Sequence, residues 1–153
     1  MRAPVWVAVF TSTAACACLG DSSEERFTPL GTDMVRDARL AIVWTSADRG
    51  VQLSWRDADK YCRGRRLRES GEAWRLPSSD ELASLFDPTM EQACGETANC
   101  RADPAIDLST PYQWSATAPR PDRRVYGDLS LGTQLSPLIR PALTRGTLCV
   151  REE

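Results

Sequence analysis

Six cysteines are the residues of this chain with the clearest chemistry. The last four are Cys62, Cys94, Cys100 and Cys149, an even number that forms disulfides in an oxidising compartment. Four cysteines allow three pairings, and the sequence alone does not choose among them. The short interval between Cys94 and Cys100 suits a local bridge. That bridge would leave Cys62 to pair with Cys149 and to close nearly the whole domain.

The remaining residue types give little support for catalysis. The chain has no histidine, so Ser–His and Cys–His nucleophile pairs are excluded and the commonest metal ligand is missing. The adjacent acids Asp80 and Glu81 are explained by the start of a helix, where carboxylates are favourable. Calcium takes about six to eight oxygen ligands, and only the scattered acids Asp103, Asp107 and Asp128 are available. We therefore expect no catalytic residue, no metal and no cofactor.

The N-terminus has the features of a targeting segment. Arg2 precedes an apolar or small stretch that is too short to cross a bilayer. The stretch ends in Thr13-Ala14-Ala15-Cys16, which resembles a bacterial lipoprotein signal with Cys16 as the acylated residue. Cys18 is the alternative anchor, and an ordinary secretory signal cleaved near Gly20 is the alternative to lipidation. We expect a signal peptide over residues 1–15 and export in either case.

Residues 16–32 are expected to form a flexible tether, because their Ser, Glu, Thr and Gly residues show no apolar period beyond the anchor. The folded domain is then expected over residues 33–153. The predicted location is the bacterial outer membrane or cell surface, with a soluble periplasmic or secreted protein as the alternative. The net charge of −2 gives no case for a nucleic-acid partner.

Two helices are signalled by their first residues. Pro77 ends an extended segment, and Ser78 with Glu81 forms a capping box that predicts a helix from about Ser79 to Phe86. Ser54 caps an earlier helix, on which Cys62 lies on the apolar face.

Short strands are expected around the helices. They cover residues 40–44, 112–117, 124–131 and 146–151, and a long loop covers residues 87–111. In the last strand, Cys149 alternates with Leu148 and Val150, so the sheet must bury both faces there or expose two aliphatic side chains.

Several sequence blocks together resemble the Lcl C-terminal domain family, over roughly residues 33–151. The blocks are Trp55-Arg56-Asp57-Ala58, Trp74-Arg75-Leu76-Pro77 with Glu81-Leu82, Tyr112-Gln113-Trp114-Ser115-Ala116-Thr117, Gly132 and Leu148-Cys149-Val150-Arg151. The family comprises bacterial exported domains of mostly unassigned function with a C-type-lectin-like fold. Gln113 departs from the usual Tyr-Trp, and Ala41 stands where glycine is common.

The resemblance implies an α+β, C-type-lectin-like fold, with two helices packed on short, mostly antiparallel strands and long loops. In that fold a cysteine of the first helix pairs with one of the last strand, which again indicates Cys62 with Cys149. The residues of the family blocks are expected to be structural: Trp55, Trp74, Arg75, Leu76, Pro77, Glu81, Leu82 and Trp114.

The expected function is binding without calcium. The strand Trp114-Ser115-Ala116 lacks the oxygen ligands with which classical C-type lectins hold calcium and sugar. The formylglycine-generating oxidases share the fold, but their chemistry needs free, closely placed cysteines. We therefore expect a lipid-anchored, non-catalytic domain for a glycan or protein ligand, with a structural or assembly lipoprotein as the alternative. The candidate ligand residues are Arg120, Arg123, Arg124 and Tyr126, because arginine suits anionic groups and tyrosine gives a rigid patch.

Overall fold

The computed structural model describes residues 25–65 and 73–153. The expected signal peptide, the two candidate anchors Cys16 and Cys18, and the first part of the tether lie outside these residues. Within them are two helices, α1 (Trp55–Gly64) and α2 (Ser79–Ala83). The strands are β1 (Phe27–Leu30), β2 (Met34–Asp37), β3 (Ile42–Thr45), β4 (Leu53–Ser54), β5 (Gln92–Ala93), β6 (Asn99–Cys100), β7 (Tyr112–Trp114), β8 (Tyr126–Asp128), β9 (Thr133–Leu135), β10 (Thr144–Arg145) and β11 (Val150–Glu152).

All the paired strands are antiparallel and form small open sheets. The largest has the order β1-β2-β3-β11, so the last strand of the chain lies beside the third. A second sheet has the order β7-β8-β9, and two-stranded pairs join β4 to β10 and β5 to β6. The expected α+β architecture is confirmed.

The folded domain begins before residue 33. The tether expected over residues 16–32 is wrong for its last part, because Phe27–Leu30 forms β1 and pairs in register with β2. Phe27 is buried in the core, whereas Thr28 and Pro29 are exposed. A single buried aromatic residue in four positions produces no periodic pattern, which explains why the sequence alone did not reveal this strand.

The largest sheet has a core on each face. The alternation expected at the last strand is present, and Leu148, Cys149 and Val150 are all fully buried. Leu148 and Val150 belong to one core with Trp44, whereas Cys149 belongs to the other with Trp114. Both faces of the chain are therefore covered at this point.

The two disulfides are Cys62–Cys149 and Cys94–Cys100. The first joins α1 to the residue before β11, and the second closes the short hairpin of β5 and β6. These are the pairs expected from the sequence.

Both helices begin at the expected caps. The Ser54 hydroxyl accepts a bond from the Asp57 amide, and Ser78 and Glu81 form the complete capping box. Helix α2 ends at Ala83 rather than near Phe86. The last turn tightens instead, because the Leu85 and Phe86 amides donate to carbonyls only three residues back.

Two positions explain glycines of the family pattern. Ala41 has a φ of +53°, a conformation that favours glycine, and it delays the start of β3 to Ile42. Gly132 has a φ of +71° in the turn between β8 and β9, where a Cβ would lie 2.7 Å from the Phe86 ring. Glycine is therefore required at Gly132 by both conformation and space.

Candidate ligand-binding cleft

A cleft of about 350 Å³ lies between the first turn of α1 and two loops, residues 118–125 and 136–143. Its walls come from three separate parts of the chain. They are Ser54, Trp55, Arg56, Pro121, Asp122, Ile139, Arg140 and Pro141. Half of these residues are apolar, and three carry a charge.

Trp55 is held rigidly in the cleft wall. Its indole Nε1–H donates to the Ser115 carbonyl at 2.8 Å. The guanidinium of Arg124 lies 4.2 Å from the centre of the indole ring, in a cation–π contact. Two different segments therefore fix the orientation of this side chain.

Arg124 also fastens the loop that precedes it. Its Nη1 donates to the carbonyls of Arg123 at 2.8 Å, Pro121 at 3.2 Å and Arg120 at 3.4 Å. The loop is thus wrapped around the same guanidinium that covers Trp55. This arrangement positions Pro121 and Asp122 beside the first turn of α1.

The two cleft loops are bonded to each other. The Ile139 amide donates to the Asp122 carbonyl at 2.8 Å, and the Arg124 amide donates to the Pro137 carbonyl at 3.3 Å. Arg123 Nη1 donates to the Ser136 carbonyl at 2.7 Å. The walls of the cleft are therefore a connected structure and need little ordering when a ligand binds.

Three charged side chains of the cleft remain available. Within residues 25–65 and 73–153, no hydrogen-bond or ion-pair partner engages the guanidinium of Arg56 or of Arg140, or the carboxylate of Asp122. All three residues are solvent-exposed. The cleft thus offers two donors of positive charge and one acceptor of negative charge.

The four ligand residues expected from the sequence do not form one exposed group. Arg120 is exposed, but Arg123 and Arg124 are used in the loop contacts above. Tyr126 is 8% exposed and packs edge-on against Trp114, with the Arg145 guanidinium 4.4 Å from its ring centre. The expected loop does border the cleft, through Pro121 and Asp122.

Sequence reasoning missed Arg56, Ile139 and Arg140. Arg56 stands within a family block, where spacing marked only the neighbouring apolar residues. No local pattern marks Ile139 or Arg140, which lie in an irregular loop between β9 and β10.

The Trp74–Leu82 block packs into the core and contacts the last strand. Trp74, Leu76 and Leu82 are buried, as is Trp114. Arg75 makes a bidentate pair with Glu81 at 2.8 Å and a further bond of 2.8 Å to Glu152 of β11. The start of α2 is thereby tied to the last strand.

The charges of this network support each other. The hydrogen bonds that Arg75 donates to Glu81 raise the pKa of Arg75 above its ordinary value, although partial burial opposes this shift. Burial opposes ionisation of Glu81, but Arg75 and the Ser78 amide lower its pKa overall. Pro77 contributes its carbonyl, which accepts a bond from the Ala116 amide at 2.7 Å.

No group of three or more His, Cys, Asp or Glu side chains capable of holding a metal ion occurs in the described part of the chain. Asp103 and Asp128 instead accept bonds from amides of their own loops, at Ala105 and Ser130. No helix in residues 25–65 or 73–153 is long and apolar enough to cross a membrane.

These features define an α+β domain with two disulfides and a loop-walled cleft. The family model of the Lcl C-terminal domain matches residues 33–136, well over half of the chain. The chain therefore belongs to the Lcl C-terminal domain family. No curated protein and no solved structure matches it.

Proposed function

We propose that this protein is an exported, lipid-anchored binding domain without catalytic activity. It takes an envelope or extracellular ligand, a glycan or a protein, in the cleft between α1 and the two loops, and it does so without calcium. The observation that carries the proposal is the cleft itself, with rigid walls and three available charges.

The composition of the cleft suits a binding site. Small-molecule sites are concave, mostly pre-formed and lined by apolar groups with a few well-placed polar ones, with volumes of roughly 300–1,000 Å³. Trp55, Pro121, Ile139 and Pro141 supply the apolar surface, and the charged residues between them supply specificity.

We further propose that the fold is C-type-lectin-like. The Cys62–Cys149 bridge from the first helix to the residue before the last strand supports this assignment, as do the two long loops after β7 and after β9, which leave the same end of the β7-β8-β9 sheet. The cleft then lies among the loops with which such folds present ligands.

The cysteines support export and a non-catalytic role. All four cysteines in the described residues are bonded in pairs, which is typical of oxidising compartments outside the cytoplasm. No thiolate remains among them to act as a nucleophile. Lipid anchoring rests on the Thr13-Ala14-Ala15-Cys16 sequence.

An assembly role is the second candidate. Leu131 is 70% exposed, and Leu135 and Leu138 are also exposed. Leu131 lies in the turn before β9, Leu135 in β9 and Leu138 in the loop after it, and exposed aliphatic side chains of this kind favour contact with another envelope protein.

The test uses the mature protein as the cell makes it, on a glycan array with and without calcium and in a pull-down from envelope extract. Ile139→Asp should abolish capture of the ligand, because it places a charge on the apolar wall. Leu131→Asp is the matched control outside the cleft and should leave capture unchanged. Capture that survives Ile139→Asp and is lost in Leu131→Asp would instead support the assembly role.

A further inference from the structure

We infer that the cleft binds an acidic pyranose, a sugar ring that carries a carboxylate. Arg56 and Arg140 bind the carboxylate, and Asp122 accepts hydrogen bonds from ring hydroxyls. This inference rests on the proposed binding function and names the chemistry of its ligand.

Arg56 and Arg140 differ from several other arginines in having no carboxylate partner in the described residues. Some arginines of the described residues are already paired with carboxylates: Arg26, Arg36, Arg63, Arg65 and Arg75. Arg56 and Arg140 line the same cleft without such a partner in the described residues. A guanidinium binds a carboxylate in a planar, bidentate geometry, and the bond is stronger than a neutral one.

The charge of the cleft differs in sign from that of the whole chain. The chain as a whole has a net charge of −2. The lining of the cleft carries two arginines and one aspartate, which gives 2 − 1 = +1. The positive charge of the lining therefore favours an acidic group in the cleft.

The apolar wall of the cleft suits a sugar ring in shape and size. The proline rings of Pro121 and Pro141, with Ile139 and Trp55, offer flat or rounded apolar surface to the C–H face of a sugar ring. The volume of about 350 Å³ lies near the lower end of the range for small-molecule sites, so it suits one or two rings.

The backbone of the cleft disfavours an extended peptide as the ligand. Peptides that bind as added strands need free main-chain donors and acceptors. Pro121 and Pro141 have no N–H, and the Ile139 amide is already bonded to Asp122. The Pro121 carbonyl accepts from Arg124. The cleft is therefore better suited to a compact acidic ligand that is recognised by side chains.

The experiment titrates the mature protein with sugars that differ only in the carboxylate. Glucuronic and galacturonic acid are compared with glucose and galactose, by the shift of the Trp55 indole N–H signal in NMR spectra. At least one acid should bind about 10-fold or more tightly than its neutral counterpart, as a charge-assisted hydrogen bond allows.

Charge-removing variants locate the effect. Arg56→Gln and Arg140→Gln should each weaken binding of the acid about 10-fold and leave the neutral sugar unchanged. Arg39→Gln removes an exposed arginine outside the cleft and should change neither. Thermal unfolding of each variant shows that the fold is retained.

The outcomes separate the two proposals. Equal binding of acids and neutral sugars, lost in Ile139→Asp but not in Arg56→Gln, would overturn the acidic ligand and keep the cleft as a site. Acetate binding as tightly as the sugar acids would overturn recognition of the ring. Absence of any acid-sugar binding would overturn this inference, whereas array or extract capture insensitive to Ile139→Asp would overturn the proposed function.

Discussion

Removal of the long disulfide tests how the domain is held together. The bridge joins Cys62 and Cys149, which are separated by 87 residues and are both fully buried. In the chain-entropy model, a loop of this length contributes about 4.5 kcal/mol to the free energy of unfolding. The Cys94–Cys100 loop spans only 6 residues, and the same relation gives about 2 kcal/mol.

Cys62→Ala/Cys149→Ala should therefore lose about 2–5 kcal/mol, the range measured for native bridges. That is a large share of the roughly 5–15 kcal/mol by which a domain is stable. Urea unfolding followed by tryptophan fluorescence measures the loss. The m-value, the slope of the unfolding free energy against urea concentration, should also rise, because the unfolded chain without the bridge exposes more surface.

Cys94→Ala/Cys100→Ala is the matched control and should lose less. A larger loss in this control than in the long-bridge variant would refute the loop-length argument. Non-reducing peptide mapping of the wild type adds an independent check, since a Cys62 peptide linked to Cys94 or Cys100 would contradict the pairing itself.

Three further predictions concern the lipid anchor, the loss of folding stability at acidic pH and a helix cap. A fatty-acid analogue should label the wild type and not Cys16→Ser; labelling lost only in Cys18→Ser would move the anchor by two residues. Burial opposes the charge of Asp37, but its bidentate pair with Arg26 lowers its pKa below the usual range. The stability that this pair adds is fully present above the unfolded-state pKa of about 4, and it is lost as the pH falls through the lower folded-state pKa. On acidification, the urea midpoint of the wild type should therefore fall more steeply than that of Asp37→Asn. Ser78→Ala should cost about 1 kcal/mol in urea unfolding, because an amide of α2 loses its acceptor, and an unchanged midpoint would contradict the cap's role.

The parts of the fold that could be predicted from sequence are those encoded locally. The caps at Ser54 and Ser78 depend on residues three positions away, so a short window contains the whole interaction. The short disulfide is similarly local, and it leaves only one partner for Cys62. Strand ends were less accurate, because each strand covers only the residues that pair. β7 and β8 are shorter than apolar alternation suggests, and β11 begins only at Val150, where its pairing with β3 begins.

Gln113 contacts a residue that is far away in the sequence, so this contact cannot be predicted from neighbouring residues. It is fully buried, and its Nε2 donates to Asp48 at 2.8 Å and to the Thr110 carbonyl at 2.9 Å. A Cβ on Gly146 would clash with this amide. The departure from the usual Tyr-Trp sequence is therefore accommodated by a distant aspartate and a distant glycine.

The cleft was beyond sequence reasoning for the same physical reason. Its walls come from residues 54–56, 121–122 and 139–141, which the fold brings together through bonds between irregular loops. Neither helical nor strand periodicity applies to such loops, so burial and exposure there cannot be read from spacing.

Arg124 shows why arginine content alone does not identify a binding residue. A run of arginines beside a tyrosine suggests an anion site, but the Nη1 of Arg124 is shared by three loop carbonyls and its guanidinium covers Trp55. To bind a ligand bidentately it would have to release the loop that forms the cleft wall. Among the residues that line the cleft, Arg56 and Arg140 can bind a ligand without that cost, because no hydrogen-bond or ion-pair partner in the described residues engages their guanidinium groups. The position of a binding arginine is therefore decided by which hydrogen bonds remain available after folding, and arginine content alone does not determine it.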